Sequence, residues 1–182
     1  MKIRLIEPEP PGMHVWAKVL LPRLGLPIIG AALEAAGHDV LIYSPQMAAV
    51  DWDDVYSADL VGLSSTTSTA EAAYQIADDA RSRGVPVVIG GSHVTFMADE
   101  ALAHADYVAR GEGGEELMLE LIDALEGRRE LDSIAGLSFR RDGAPAHNDL
   151  RPPCPDLDTL PIPDLDLIVG HEGVNSMPIM TS

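Results

Sequence analysis

Short apolar segments of strand length alternate along this chain with longer segments whose apolar residues fall at helical spacing. No other feature limits the fold so tightly. Residues 3–6, 39–43, 60–64, 85–89 and 107–109 read as strands. The third, Leu60-Val61-Gly62-Leu63-Ser64, is apolar almost throughout, as expected of a parallel strand covered on both faces. Between the strands, residues 25–36, 69–83, 96–104 and 115–126 carry helical stripes, and residues 51–57 form a shorter, helix-like connection. Gly37 and Gly84 stand where helix C-caps are needed, and Ser68 with Glu71 fits a capping box. Pro86 is tolerated near the start of its strand. Strand–helix alternation of this kind specifies an α/β fold. It predicts a doubly wound, flavodoxin-like or Rossmann-like parallel sheet of five strands in the order 2-1-3-4-5.

The pattern changes after Gly127. Residues 137–140 and 144–147 flank the turn Arg141-Asp142-Gly143 and read as a small hairpin. Residues 151–166 are rich in Pro, Asp and Leu and read as an extended arm. The expected organisation is an α/β domain over residues 1–127, then a hairpin and arm over 128–182.

Charge and cysteine content remove whole classes of function. Twelve Lys and Arg face 29 Asp and Glu, a net charge of −17, which repels phosphate backbones and anionic lipid. Nucleic acid and membrane are therefore not expected as partners. The one cysteine, Cys154, permits no intrachain disulfide, iron–sulfur cluster or Cys-rich zinc site. Without a signal pattern or an apolar run of membrane-spanning length, the expected location is the cytoplasm.

In an open doubly wound sheet, ligands bind beyond the C-terminal ends of the strands. Those loops hold Ser64-Ser65-Thr66-Thr67-Ser68-Thr69, Gly90-Gly91-Ser92-His93 and Gly111-Glu112-Gly113-Gly114. The hydroxyl run reads either as a helix entry or as neutral donors lining a slot. Gly90 and Gly91 read either as a tight turn or as backbone made bare for a flat ligand. The turn at 111–114 reads as a strand-to-helix connection, its acids complementing the helix dipole, or as half of a dinucleotide fingerprint. After the first strand come Glu7, Glu9 and three prolines. Prolines remove amide donors and carboxylates repel phosphate, which disfavours a flavin or nucleotide. Taken together, the loops suit a large, flat, mostly uncharged ligand. No catalytic constellation is placed: Asp51–Asp54 read as a helix start, His38 and His104 as helix-end residues, and nothing converges on His147 or His171.

In these segments the chain resembles the cobalamin-binding N-terminal domain of cobalamin-dependent radical S-adenosylmethionine proteins. The resemblance is carried by Val61–Thr66, by Val88-Ile89-Gly90-Gly91-Ser92, and by Leu24-Gly25-Leu26-Pro27 with Ala31–His38. Gly111–Glu115, Leu137–Arg141 and Pro155–Pro163 complete it. It implies cobalamin held by Ser64, Ser65, Thr66, Thr67, Gly90, Gly91, Ser92, His93, Gly111, Glu112 and Gly113. It also implies a parent of methyltransferase type with a 4Fe-4S cluster and S-adenosylmethionine in a radical SAM barrel, in cis or in trans. In the methionine-synthase-like branch a D-x-H-x-x-G motif supplies the lower cobalt ligand. Here the Asp and His positions hold Leu20 and Pro22, which implies base-off cobalamin, with His14 the one candidate imidazole. The cluster motif C-x-x-x-C-x-x-C would follow a segment like Met180-Thr181-Ser182, so the chain by itself is expected to hold a cofactor rather than to catalyse. The competing expectation is a cobalamin-free relative serving as a docking or substrate-presenting scaffold.

Overall fold

The computed structural model describes residues 1–10, 12, 21–154 and 156–173. His14 lies outside them. Five parallel strands run in the expected order: β1 (Lys2–Ile6), β2 (Asp39–Tyr43), β3 (Leu60–Ser64), β4 (Val87–Gly90) and β5 (Tyr107–Ala109) are arranged 2-1-3-4-5. Among the described residues, six α-helices connect and flank them: α1 (Gly25–Ala35), α2 (Trp52–Tyr56), α3 (Ala70–Ser82), α4 (Ser92–Phe96), α5 (Ala98–His104) and α6 (Gly114–Leu125).

The sheet does not stop at five strands. The hairpin strands β6 (Leu137–Arg141) and β7 (Ala144–His147) continue it antiparallel, giving the order 2-1-3-4-5-6-7. The physical reason lies at the edge. Three-residue β5 would otherwise present an open ladder, and β6 covers it while burying Leu137, Ser138 and Phe139. At the opposite edge, the Ile42 N–H donates to Leu167 O at 2.8 Å and the Val169 N–H to Ile42 O at 2.9 Å. Leu167 and Ile168 are buried there, a return to the sheet that composition gave no sign of.

Alternate residues of each strand feed two cores, which is why the strands read as continuous apolar runs. Val61, Leu63, Val87 and Ile89 pack under α3 and α5, where Ala73, Ala77 and Ala80 let the helix approach closely. Leu5, Leu60 and Val88 face α1 and α6, against Leu33, Leu117, Leu121 and Ile122. Two expected helix boundaries move. Ser68 is exposed and does not cap α3, because the preceding turn closes through buried Thr69, whose Oγ1 accepts the Thr66 N–H at 3.0 Å. The helix expected at 96–104 begins at Ala98 as α5, and a separate short helix, α4, precedes it over residues read as loop, the break falling at Met97 (φ −118°, ψ 41°).

One charged side chain breaks the apolar rule. Arg4, on β1, is only 3% exposed. Its Nε donates to Asp54 at 2.5 Å, and its Nη1 donates to Ile3 O at 3.0 Å and Asp39 O at 3.1 Å. Asp54 also accepts from Tyr43 Oη at 2.9 Å and pairs with Lys2 at 2.8 Å. The Arg4 hydrogen bond, working against burial, holds the Asp54 carboxyl well below the usual carboxylate range. Burial and then the bond to Asp54 push the Tyr43 hydroxyl up to about 12. A carboxyl depressed in the fold contributes fully above its unfolded pKa, about 3.9, and loses that contribution as pH falls through the folded value. Asp54→Asn is therefore expected to lower stability at pH 7 by roughly 2–4 kcal/mol. Its urea midpoint should fall less than that of the wild type as pH drops below about 4. Urea titrations across that window check both.

Candidate functional site

Along the face of β3 that meets α1 and α6, the side chains run Leu60, Gly62, Ser64; along β4 they run Val88, Gly90. Bulk therefore falls away toward the C-terminal edge, while α1 and α6 remain held apart by the larger residues behind. The result is a cavity of about 260 Å³, floored by Gly62, Ser64 and Gly90 and walled by Leu26, Ile29 and Met118. Six lining residues are glycines, so much of its surface is bare backbone. A Cβ on Gly62 would stand 2.6 Å from Leu5 Cδ2, and one on Gly90 would meet Ala109 Cβ at an ordinary 3.6 Å.

Gly91 has a different task. It adopts φ +110°, and a Cβ there would lie 2.2 Å from Ser65 O. The two loops are joined at this point: the Ser65 N–H donates to Gly90 O at 2.8 Å and the His93 N–H to Ser65 O at 3.4 Å. Of the two readings of this glycine pair, loop-to-loop contact accounts for Gly91, whereas Gly90 is open to the cavity.

Of the residues singled out from sequence, the structure brings Ser64, Gly90, Gly91 and Gly111 to the cavity. The others lie outside its lining. Ser65 is fully buried, with its hydroxyl on Thr66 O at 3.4 Å. The Thr66 hydroxyl is engaged by those of Ser68 and Thr69 at 3.1 and 3.2 Å. Thr67 bonds His93 Nδ1 at 3.3 Å, and that imidazole stands 3.5 Å from Glu100 and beside Tyr74, in a separate surface groove over α3. Ser92 and Glu112 are exposed, and Gly113 packs on Arg151.

Sequence reasoning missed the walls. Leu5, Leu26, Ile29, Gly62, Gly114 and Met118 all line the cavity. Gly62 was the available signal, an unfilled position in the middle of an otherwise apolar strand. Glu115, in the first turn of α6, is the one charged lining residue among the described residues. Glu7, after β1, is raised by burial and lowered by Arg23, whose Nε lies 2.9 Å away. Among the described residues, no group of three His, Cys, Asp or Glu is placed to hold a metal ion. The lining thus offers neutral backbone, one hydroxyl and one carboxylate, a donor set suited to an uncharged or amide-bearing ligand and poorly suited to phosphate.

The chain is 36% identical over 176 residues to an uncharacterized methyltransferase of Pyrococcus horikoshii, an alignment covering 88% of this chain and 38% of that protein. The chain thus spans well under half the length of that relative. Its fold is shared with OxsB, a cobalamin-dependent S-adenosylmethionine radical enzyme solved with aqua-cobalamin and S-adenosylmethionine bound. That match has a TM-score of 0.67 at 16% identity and covers 83% of this chain and 22% of OxsB. The radical S-adenosylmethionine methyltransferase TsrM of Kitasatospora setae, solved with cobalamin and a 4Fe-4S cluster, matches with a TM-score of 0.63 at 19% identity. There 88% of this chain and 31% of TsrM are covered. The family model described as the B12 binding domain matches residues 15–121, more than half of the sequence and every residue lining the cavity except Leu5 of β1, and the chain belongs to that family.

Proposed function

We propose that this chain is the cobalamin-holding part of a cobalamin-dependent radical SAM protein of methyltransferase type. One observation carries the reading: the glycine-lined cavity opens at the C-terminal ends of β3 and β4, within the segment that matches the B12 binding domain. Ser64 would bond the buried tail of the cofactor, and the bare backbone of Gly62 and Gly90 would let it lie against the sheet. Gly91 and Gly111 would border its passage outward, and the Glu115 carboxylate would accept N–H bonds from peripheral amides. Ser65, Thr66, Thr67, Ser92 and His93 would act behind this layer, by holding the β3 and β4 loops together. Cobalamin would supply a cobalt-bound methyl group for transfer. The 4Fe-4S cluster and S-adenosylmethionine would belong to a radical SAM barrel, in cis or in trans, since one cysteine cannot provide three thiolates.

The cobalamin is proposed to be base-off, with no imidazole from the usual lower-ligand motif, whose His position holds the buried Pro22. Among the described residues, no helix is long and apolar enough to cross a membrane. The net charge of −17 argues against nucleic acid as a partner.

Gel filtration with hydroxocobalamin, read by visible absorption, is the direct test. Co-elution is expected, and its failure under both reducing and non-reducing conditions would favour the scaffold reading. Ser64→Leu, which pushes a side chain into the cavity without disturbing the core beneath, should abolish co-elution while leaving the melting temperature near that of the wild type. Gly91→Ala should behave differently. A forced contact with Ser65 O at a φ that suits glycine costs about 2–4 kcal/mol, so thermal melting should report lost stability before any binding defect is read. For the cobalt ligand, electron paramagnetic resonance of the Co(II) complex should show no threefold splitting from an axial nitrogen. Splitting that disappears in His14→Ala would overturn the base-off, ligand-free assignment.

A further inference from the structure

Arg151 stands where the chain leaves the hairpin and begins the arm, and its side chain crosses the turn that opens α6. A Cβ on Gly113 (φ +73°) would lie 2.5 Å from Arg151 Cδ, so the missing side chain is the space the arginine stem occupies. Beyond it, Nη1 donates to Glu116 Oε2 at 2.7 Å and Nη2 donates to Glu120, one turn further along α6. The arginine side chain is only 14% exposed. Exposed ion pairs contribute little, but here the arginine and Glu120 are largely shielded, a second, exposed carboxylate is engaged, and the arginine stem is seated in a glycine slot.

The neighbouring residues connect this clamp to the cavity. Leu150 rests on Gly111, 3.6 Å from where its Cβ would be, and Gly111 lines the cavity. The Gly111 N–H donates to Thr95 Oγ1 at 3.1 Å. Behind Leu150 the segment is anchored: Asp149 O accepts the Gly136 N–H at 2.7 Å, and Asn148 Nδ2 donates to Leu131 O and Ile134 O at 2.7 and 2.8 Å. Residues 148–151 thus form a strap tied at both ends and laid across the Gly111–Gly114 rim.

We infer that Arg151 is a positioning residue for the cavity, fixing the opening turn of α6 and, through it, the rim that a ligand must pass. The inference rests on the cofactor reading above and adds to it a control over release. Loss of the clamp frees the rim without touching the cavity floor, so ligand escape should accelerate more than the fold weakens.

The test measures hydroxocobalamin release from the whole chain after rapid dilution, with melting followed by circular dichroism. Arg151→Ala is expected to release the cofactor roughly tenfold faster, the scale typical of removing a support behind a binding site. Arg151→Lys should recover part of the loss, because it keeps the charge but not the two-carboxylate span. Added salt should speed release from the wild type and have little effect on Arg151→Ala. Should Arg151→Ala fold poorly, the Glu116→Gln, Glu120→Gln double variant should reproduce the faster release. Cys154, three residues on and the chain's one cysteine, gives a ligand-independent reading: its alkylation should accelerate when the strap is freed. Faster alkylation with unchanged release would overturn the positioning role and leave a clamp on the arm alone. Release and alkylation both unchanged would overturn the clamp altogether. A wild type that takes up no hydroxocobalamin would overturn the cofactor reading itself, and with it the role in release.

Discussion

The grading of side-chain size along one face of β3 and β4 governs both the packing and the site. Leu60 and Val88 pack with Leu117, Leu121 and Ile122 and hold α1 and α6 off the sheet. Gly62, Ser64 and Gly90 then leave the same layer unfilled two to four residues further on. A uniform strand would have extended the core to its end and closed the slot. A strand bare throughout would have let the helices collapse onto the sheet, since interiors close around missing volume where they can. Bulk behind and glycine in front keep a cavity open in a stable domain.

Both edges of the parallel part of the sheet are covered by segments outside the βα series. The hairpin completes the ladder beside β5, and Leu167–Val169 completes it beside β2. These additions cover β5 and β2, and the hairpin moves the edge to four-residue β7, whose Pro145 removes one ladder donor. The hairpin also sets the course of residues 148–151 over the cavity rim. Edge protection and site construction are thus done by the same piece of chain. On the face of the sheet opposite the cavity-lining Leu5, the Arg4–Asp54–Tyr43 network fastens α2 to β1 and β2.

The sheet order and the two-sided burial were legible because period and composition report directly on them. Apolar runs such as Leu60–Leu63 and helical stripes such as Leu117, Leu121 and Ile122 admit few other folds. The locations of Ser64, Gly90, Gly91 and Gly111 followed from the rule that ligands sit at strand C-termini. What was not legible depended on pairing across long sequence distances. Nothing local distinguishes a hairpin standing free from one added to β5, or shows that Leu167 returns to β2. Capping failed at Ser68 because the local rule competes with the Thr66–Thr69 turn, and burial of Thr69 decides for the turn. His93 was placed near the ligand loop by sequence, but a helix begins at Ser92 and turns its imidazole toward Glu100 and Tyr74.

The charge distribution bears on which ligands such a cavity admits. A surface with 29 acidic and 12 basic residues sets up a negative field at the mouth, which raises the cost of bringing an anion to the rim. Inside, no lining cation among the described residues offsets that cost, and Glu115 adds to it. Arg151, laid against the rim, has its charge taken up by Glu116 and Glu120. A carboxylate can only accept hydrogen bonds, so Glu115 rewards a ligand that presents N–H groups and penalises one that presents carboxylates. The same fold with a bare amide loop after β1 would favour phosphate. Here Glu7, paired with Arg23, stands in that position. The selection proposed here for a bulky, amide-bearing ligand would therefore arise as much from what repels its competitors as from what the cavity offers it.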